Sequence, residues 1–149
     1  MVLTWKLAAL LACGGALGTL ARFALAQWAA PISVLLPWGT ILINVCGSLL
    51  IGVFATLTFA GGRLPLGEDA RLFVMVGFCG GFTTFSAFSL QTLDLLREGE
   101  PLRALGNVLI SVLACLAAVA AGHYAAVALN GGRAGPGAAA SAHESAERA

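Results

Sequence analysis

Long apolar blocks dominate the pattern of this chain and leave little polar sequence between them. The blocks are Leu3–Ala30, Trp38–Ala60, Leu72–Leu96 and Leu102–Leu129. Each reaches the roughly 20 residues that an α-helix needs to cross a hydrocarbon core of about 30 Å. The pattern therefore predicts an all-α membrane protein in which residues 1–130 form a domain of four transmembrane helices. Residues 131–149 are rich in Gly, Ala and Ser without apolar periodicity, and we expect a disordered C-terminal tail there.

The third block contains a stretch that is poorly suited to a continuous helix. From Gly77 to Ser89 the chain reads GFCGGFTTFSAFS, which is dense in glycine and hydroxyl residues. Glycine loses the most backbone entropy in a helix, and Ser and Thr compete for backbone hydrogen bonds. Freed backbone groups are tolerated in a bilayer only where they face protein or a water-filled path. We therefore expect a third helix that is broken mid-membrane, at a candidate site for an ion or substrate.

Two pairs of glycines have a spacing that is typical of close helix packing. Gly14 and Gly18 lie in the first block, and Gly77 and Gly81 lie in the third. Small residues four positions apart let membrane helices approach closely. We expect tight packing to explain most of these glycines.

Composition narrows the possible function classes. The chain has 149 residues, of which 59% are hydrophobic and 10% charged, and its mean hydropathy is +0.92. An ordinary soluble domain has a charged fraction of roughly a quarter. The net charge of +1 gives no reason to expect a nucleic-acid partner. With no Ser/His/Asp set or HExxH motif, we expect a multi-pass protein of the lipid bilayer that is not an enzyme.

The basic residues give almost no preference for one orientation in the membrane. One predicted side holds Lys6, Arg63, Arg71 and Arg133, and the other holds Arg22, Arg97 and Arg103. Orientation follows the Lys/Arg bias of short loops, and this distribution is scarcely biased. Either orientation is therefore accessible. If both coexist, an antiparallel homodimer becomes possible.

Neutral polar residues are the candidate chemistry inside the blocks. They are Asn44, Ser48, Thr83, Thr84, Ser86, Ser89 and Ser111. One interpretation is hydrogen bonding between helices. The other is a set of N–H and O–H donors that suits an anion, because the carboxylate rings that suit cations are missing. No block has a carboxylate near its centre, which disfavours a proton-coupled exporter.

Aromatic residues and one arginine allow two interpretations each. Phe78, Phe82, Phe85 and Phe88 recur at helical spacing and form either a packing stripe or, at the last two, positive ring edges that attract an anion. Arg22 lies deep in the first block. It either attracts anions in a wet vestibule or lies at the end of its membrane helix.

Three segments in order resemble the Fluc/CrcB fluoride channel family. They are GGALGTLARF at 14–23, WGTILINVCGS at 38–48, and the stretch at 77–89. The resemblance implies antiparallel, dual-topology homodimers with two pores in a bacterial plasma or inner membrane. Such channels passively export cytoplasmic fluoride that entered the cell as HF, and so reduce fluoride toxicity. The fourth helix matches only loosely.

The resemblance also implies roles for individual residues. It assigns the fluoride pore to Asn44, Phe85, Phe88, Ser86, Thr84, Ser111 and Arg22. It further implies that the backbone carbonyls of Gly80 and Thr83 from both subunits hold a structural sodium ion at the dimer centre. A hard cation suits carbonyl oxygens that a broken helix exposes.

Some positions depart from the family pattern and leave alternatives open. Ala87 stands where the motif TTFSTF has a threonine, Gln91 where a carboxylate is expected, and Cys115 where a hydroxyl is expected. A paired, complementary subunit is one alternative to the homodimer. A small dual-topology drug or cation exporter is another, although it requires a mid-membrane carboxylate in the first helix. The third is a membrane subunit that transports nothing.

Overall fold

The computed structural model describes residues 4–131, and all their regular structure is helical. The α-helices are α1 (Trp5–Ala29), α2 (Trp38–Leu57), α3 (Glu68–Leu72), α4 (Cys79–Phe82), α5 (Phe85–Arg97) and α6 (Pro101–Leu129). A 3₁₀ turn at Ala30–Ile32 extends α1, and a π-helix at Phe73–Phe78 joins α3 to α4. The predicted tail lies outside the described residues, apart from Gly131.

Four segments of the described chain are long and apolar enough to cross a membrane. They are Trp5–Ile32, Trp38–Leu57, Glu68–Arg97 and Pro101–Leu129. This confirms the all-helical class and the four predicted spans. Below, the segment Glu68–Arg97 is called the third segment.

Local side-chain chemistry explains where these helices begin and end. The Thr4 hydroxyl accepts a hydrogen bond from the Leu7 amide at 3.3 Å and caps α1. Helix α2 ends at Leu57, earlier than predicted, where the Thr58 hydroxyl donates to the carbonyl of Phe54. The third segment begins earlier than predicted, because acidic residues are favourable in the first turn of a helix and Glu68 lies there.

Helix α1 packs against the first half of the third segment through glycine. A Cβ atom added at Gly14 would lie 2.7 Å from the carbonyl oxygen of Phe73 and 3.1 Å from the Cα atom of Gly77. Real Cβ atoms essentially never approach other atoms below about 3 Å, so only glycine fits here without a backbone shift. The predicted close packing of these glycines is confirmed at this contact.

Helices α2 and α6 form the most extensive helix pair in the described chain. A Cβ atom at Gly122 would lie 2.5 Å from the carbonyl oxygen of Leu49, so this pair also depends on glycine. At one end of the pair, the Thr56 hydroxyl lies 2.8 Å from Nδ1 of His123, and Nδ2 of Asn130 donates to the Thr56 carbonyl. These bonds fix the relative position of α2 and α6.

Between α4 and α5 the backbone is extended at two threonines. Thr83 has φ −78° and ψ 157°, and Thr84 has φ −151° and ψ 105°. The α-helical hydrogen-bond pattern therefore stops at Phe82 and resumes at Phe85. The residues on either side of these two threonines form most of the candidate site.

Candidate functional site

A cleft of about 380 Å³ opens beside the extended threonines, between α2, the third segment and α6. It is lined by Asn44, Gly80, Thr83, Phe85, Phe88 and Ser111, among others. The structure therefore brings these predicted site residues together. Three further predicted residues, Thr84, Ser86 and Arg22, do not line this cleft.

Asn44 holds the extended backbone through two hydrogen bonds. Its Nδ2 donates to the carbonyl of Thr84 at 3.2 Å, and its Oδ1 accepts from the amide of Thr84 at 2.8 Å. Both backbone groups of Thr84 are thus satisfied by one side chain from another helix. An asparagine amide has two N–H donors, so one N–H of Asn44 stays available to the cleft.

Thr84 starts α5 as its N-cap. Its hydroxyl accepts from the amide of Ala87 at 3.2 Å and lies 3.3 Å from the hydroxyl of Ser86. Thr84 is buried, whereas Ser86 is exposed. Thr84 is thus the last extended residue and, through its hydroxyl, the cap of the first turn of α5.

The same bonds release two carbonyl oxygens from the helical pattern. In a continuous α-helix the amide of Thr84 would donate to Gly80, and the amide of Ala87 would donate to Thr83. Instead these amides donate to Asn44 and to the Thr84 hydroxyl. Gly80 is also exposed, and a Cβ atom added there would meet nothing within 4 Å.

The four phenylalanines of the predicted stripe divide into two pairs. Phe78 and Phe82 stack, with ring centroids 5.8 Å apart and planes 11° apart. Phe85 and Phe88 lie across the cleft wall with centroids 5.3 Å apart and a 47° tilt. Phe82 and Phe88 are buried, whereas Phe85 is 77% exposed in the single chain. Packing therefore accounts for the first pair, and the cleft uses the second.

A hydrogen-bonded chain behind the cleft contains residues that sequence reasoning missed. The Ser111 hydroxyl donates to Oδ1 of Asn107 at 3.3 Å, and Nδ2 of Asn107 donates to the Thr92 hydroxyl at 2.8 Å. The Thr92 hydroxyl donates to the carbonyl of Phe88 at 2.7 Å. Asn107 is fully buried. It is the single asparagine of the fourth block and lies one helical turn before Ser111, which is the signal that could have identified it.

The positions that depart from the family pattern occupy different surroundings. Cys115 lines the cleft, whereas Gln91 lines a second cleft together with Asp94 and Glu98. Oε1 of Gln91 is buried and has no hydrogen-bond partner within residues 4–131. Arg22 is half-buried on α1.

The side chains that line the first cleft differ from those of a carboxylate-based cation site. Within residues 4–131, no Asp or Glu lines it, and no cluster of three or more His, Cys, Asp or Glu side chains is placed to hold a metal ion. Its polar side-chain groups are an amide and hydroxyls, and its ring edges carry partial positive charge. Such a surface suits a small anion.

Comparison with known sequences assigns the chain to a family. A family model described as CrcB-like protein, Camphor Resistance (CrcB), matches residues 9–123. The chain belongs to the CrcB family. A relative from Methylobacterium radiotolerans is 62% identical over 119 residues, which is 80% of this chain and 83% of the relative. One from Methylocella silvestris is 59% identical over 118 residues, or 78% of this chain and 90% of the relative.

Both relatives carry the name fluoride-specific ion channel FluC. A third protein of that name, from Gluconobacter oxydans, is 59% identical over 120 residues. The matched CrcB region covers the cleft-lining residues of α2, the third segment and α6. Together with the four apolar segments, membership of the CrcB family makes this chain a multi-pass bacterial membrane protein.

Proposed function

We propose that the chain forms a fluoride-selective ion channel that passively exports cytoplasmic fluoride and thereby reduces fluoride toxicity. The observation that carries this proposal is the cleft, which joins Asn44, Phe85, Phe88 and Ser111 without a carboxylate from residues 4–131. The names of the CrcB relatives support the identity of the anion. Passive conduction requires no covalent step, so the proposed function is not an enzymatic one.

The cleft would hold fluoride weakly, as a conducting site must. The free N–H of Asn44 and the ring edges of Phe85 and Phe88 offer several weak interactions in place of one strong charge. Because each interaction is weak, an anion can enter the cleft, move from one group to the next and leave again. Thr84, Ser86 and Arg22 would act outside this cleft.

We also propose that two copies associate in antiparallel orientation with the third segment of each broken mid-membrane at Thr83 and Thr84. Gly80 is exposed there and has no neighbour within 4 Å of an added Cβ atom. The Phe85 ring is also largely exposed beside the cleft. A second copy would cover this side of the third segment, and the scarcely biased basic residues allow both orientations.

The residues present fit a structural sodium ion between the two copies. Sodium is a hard cation that prefers oxygen ligands, as other hard cations do. The carbonyls of Gly80 and Thr83 lose their helical donors, so each copy would offer two backbone oxygens. Bound sodium would compensate the partial negative charge of these carbonyl oxygens where water is absent. It would thereby contribute to dimer stability.

A growth experiment tests the proposed function. A bacterial strain that lacks its own fluoride exporter would express either the chain or an empty vector in medium containing fluoride. We expect the chain to restore growth in fluoride and to leave resistance to cationic dyes unchanged, which separates a channel from a drug exporter. Absence of rescue, with the protein confirmed in the membrane, would contradict the proposal.

A further inference from the structure

The hydrogen bonds that link Ser111, Asn107 and Thr92 behind the cleft have a fixed donor-to-acceptor direction. A backbone carbonyl can only accept, so the 2.7 Å contact between Thr92 and the Phe88 carbonyl requires the single proton of the Thr92 hydroxyl. The Thr92 oxygen can then only accept from Asn107. The atom of Asn107 that faces Thr92 must therefore be Nδ2, which places Oδ1 toward Ser111.

This direction determines which way the Ser111 proton points. Oδ1 of Asn107 has no proton, so the Ser111 hydroxyl must donate its single proton to Asn107. The oxygen of Ser111 consequently presents lone pairs to the cleft that it lines. A serine in this state repels an anion, although its residue type suggests a donor.

We propose that Asn107 is a positioning residue that competes with the anion for the Ser111 proton. This proposal rests on the proposed fluoride function of the cleft. The competing bond is 3.3 Å long, compared with about 2.7–2.8 Å for a strong O–H···O bond, so it can be broken at low cost. Asn107 thereby lowers the affinity of the cleft for fluoride without contacting the ion. A weaker hold lets the ion leave.

Two substitutions test the direction of these hydrogen bonds. Asn107→Leu removes the acceptor and frees the Ser111 proton, so fluoride should bind about fivefold more tightly, the factor expected for one neutral hydrogen bond. Thr92→Val is nearly isosteric and removes the group that orients the Asn107 amide. The amide can then rotate and donate to Ser111, which shifts affinity in the same direction by a smaller factor.

The measurement is a titration of sodium fluoride onto the purified full-length protein in detergent, followed by ¹⁹F NMR. Adding Ser111→Ala to either variant should remove the gain in affinity. Ser89→Ala is the matched control, because the Ser89 hydroxyl also donates to a carbonyl in α5, that of Phe85, but is exposed and outside the chain of bonds. We expect no change of affinity in this control.

The outcomes separate this inference from the proposed function. Unchanged fluoride affinity in Asn107→Leu, or a gain that persists with Ser111→Ala, would overturn the role of Asn107, and so would the absence of any fluoride binding. Failure of the natural protein to release fluoride from vesicles would instead contradict the channel function. The titration does not depend on transport, so it decides the role of Asn107 in either case.

Discussion

Gly80 and Gly81 are neighbours in sequence, yet Gly81 is closely packed and Gly80 faces open space. A Cβ atom at Gly81 would contact the carbonyl oxygen of Gly15 and lie 3.0 Å from its Cα atom on α1. At Gly80 it would meet nothing within 4 Å. The third segment thus has a packing side, where glycine is needed for close approach, and an open side, where a carbonyl is released beside the cleft. One glycine-rich sequence therefore serves two physical purposes.

The largest difference is expected when the same substitution is made on each side. Gly81→Val places a branched side chain against the backbone of α1, where overpacking costs about 1–3 kcal/mol or more. We expect loss of most folded protein in size-exclusion chromatography. Gly80→Val should leave the subunit folded, because its Cβ atom meets open space.

The Gly80→Val protein then tests the open side. A branched residue there should prevent sodium binding and dimer formation. The thermal midpoint of the natural protein should rise when N-methylglucamine is exchanged for sodium, and that of Gly80→Val should not. A folded Gly80→Val dimer that retains the sodium response would contradict our assignment of the open side.

Asn44→Leu removes the bonds that hold the extended backbone. The amide and carbonyl of Thr84 would lose their partners, and each buried unsatisfied group costs about 1–3 kcal/mol. We expect a clearly lower midpoint of thermal unfolding. Asn44→Gln is the control for side-chain polarity. An unchanged midpoint in Asn44→Leu would show that the two hydrogen bonds between Asn44 and Thr84 add no stability.

Replacing either ring of the Phe85/Phe88 pair should lower transport. Phe85→Ile and Phe88→Ile each remove a ring from the cleft, and we expect fluoride efflux to fall by about tenfold, the equivalent of one aromatic interaction. Phe23→Ile, on the exposed surface of α1, is the matched control. Equal efflux from all three variants would favour a simple packing role for Phe85 and Phe88.

The smallest effect is expected at the N-cap of α5. Thr84→Val removes the oxygen that accepts from Ala87 and should lower stability by about 1 kcal/mol. Thr84→Ser keeps that oxygen and should behave as the natural protein does. Thermal unfolding of both variants would measure the contribution of the cap, and equal midpoints would argue against it.

Hydropathy and glycine spacing were sufficient to predict the four spans and close helix packing at Gly14 and Gly77, because both depend on local composition and simple helix geometry. They did not predict that these two glycines contact each other. They could not show that Gly81 lies against the backbone of Gly15 while Gly80 faces open space, because that depends on which neighbour lies on each side. The hydrogen bonds between Asn44 and Thr84 were not predictable in this way, because they join residues that are far apart in sequence. Asn107 was missed because one buried amide forms no repeating pattern in an apolar helix, and its spacing of one turn from Ser111 was its only signal. The π-helix was missed because its register depends on tertiary packing.

Fluoride efflux from liposomes that contain the purified protein is the most direct test of the central claim. A fluoride-selective electrode would follow release after the membrane potential is cancelled with a potassium ionophore, with empty vesicles and a chloride-loaded preparation as controls. We predict fluoride release well above that of empty vesicles and no release of chloride. Fluoride release equal to that of empty vesicles, from protein shown to be folded, would contradict the account.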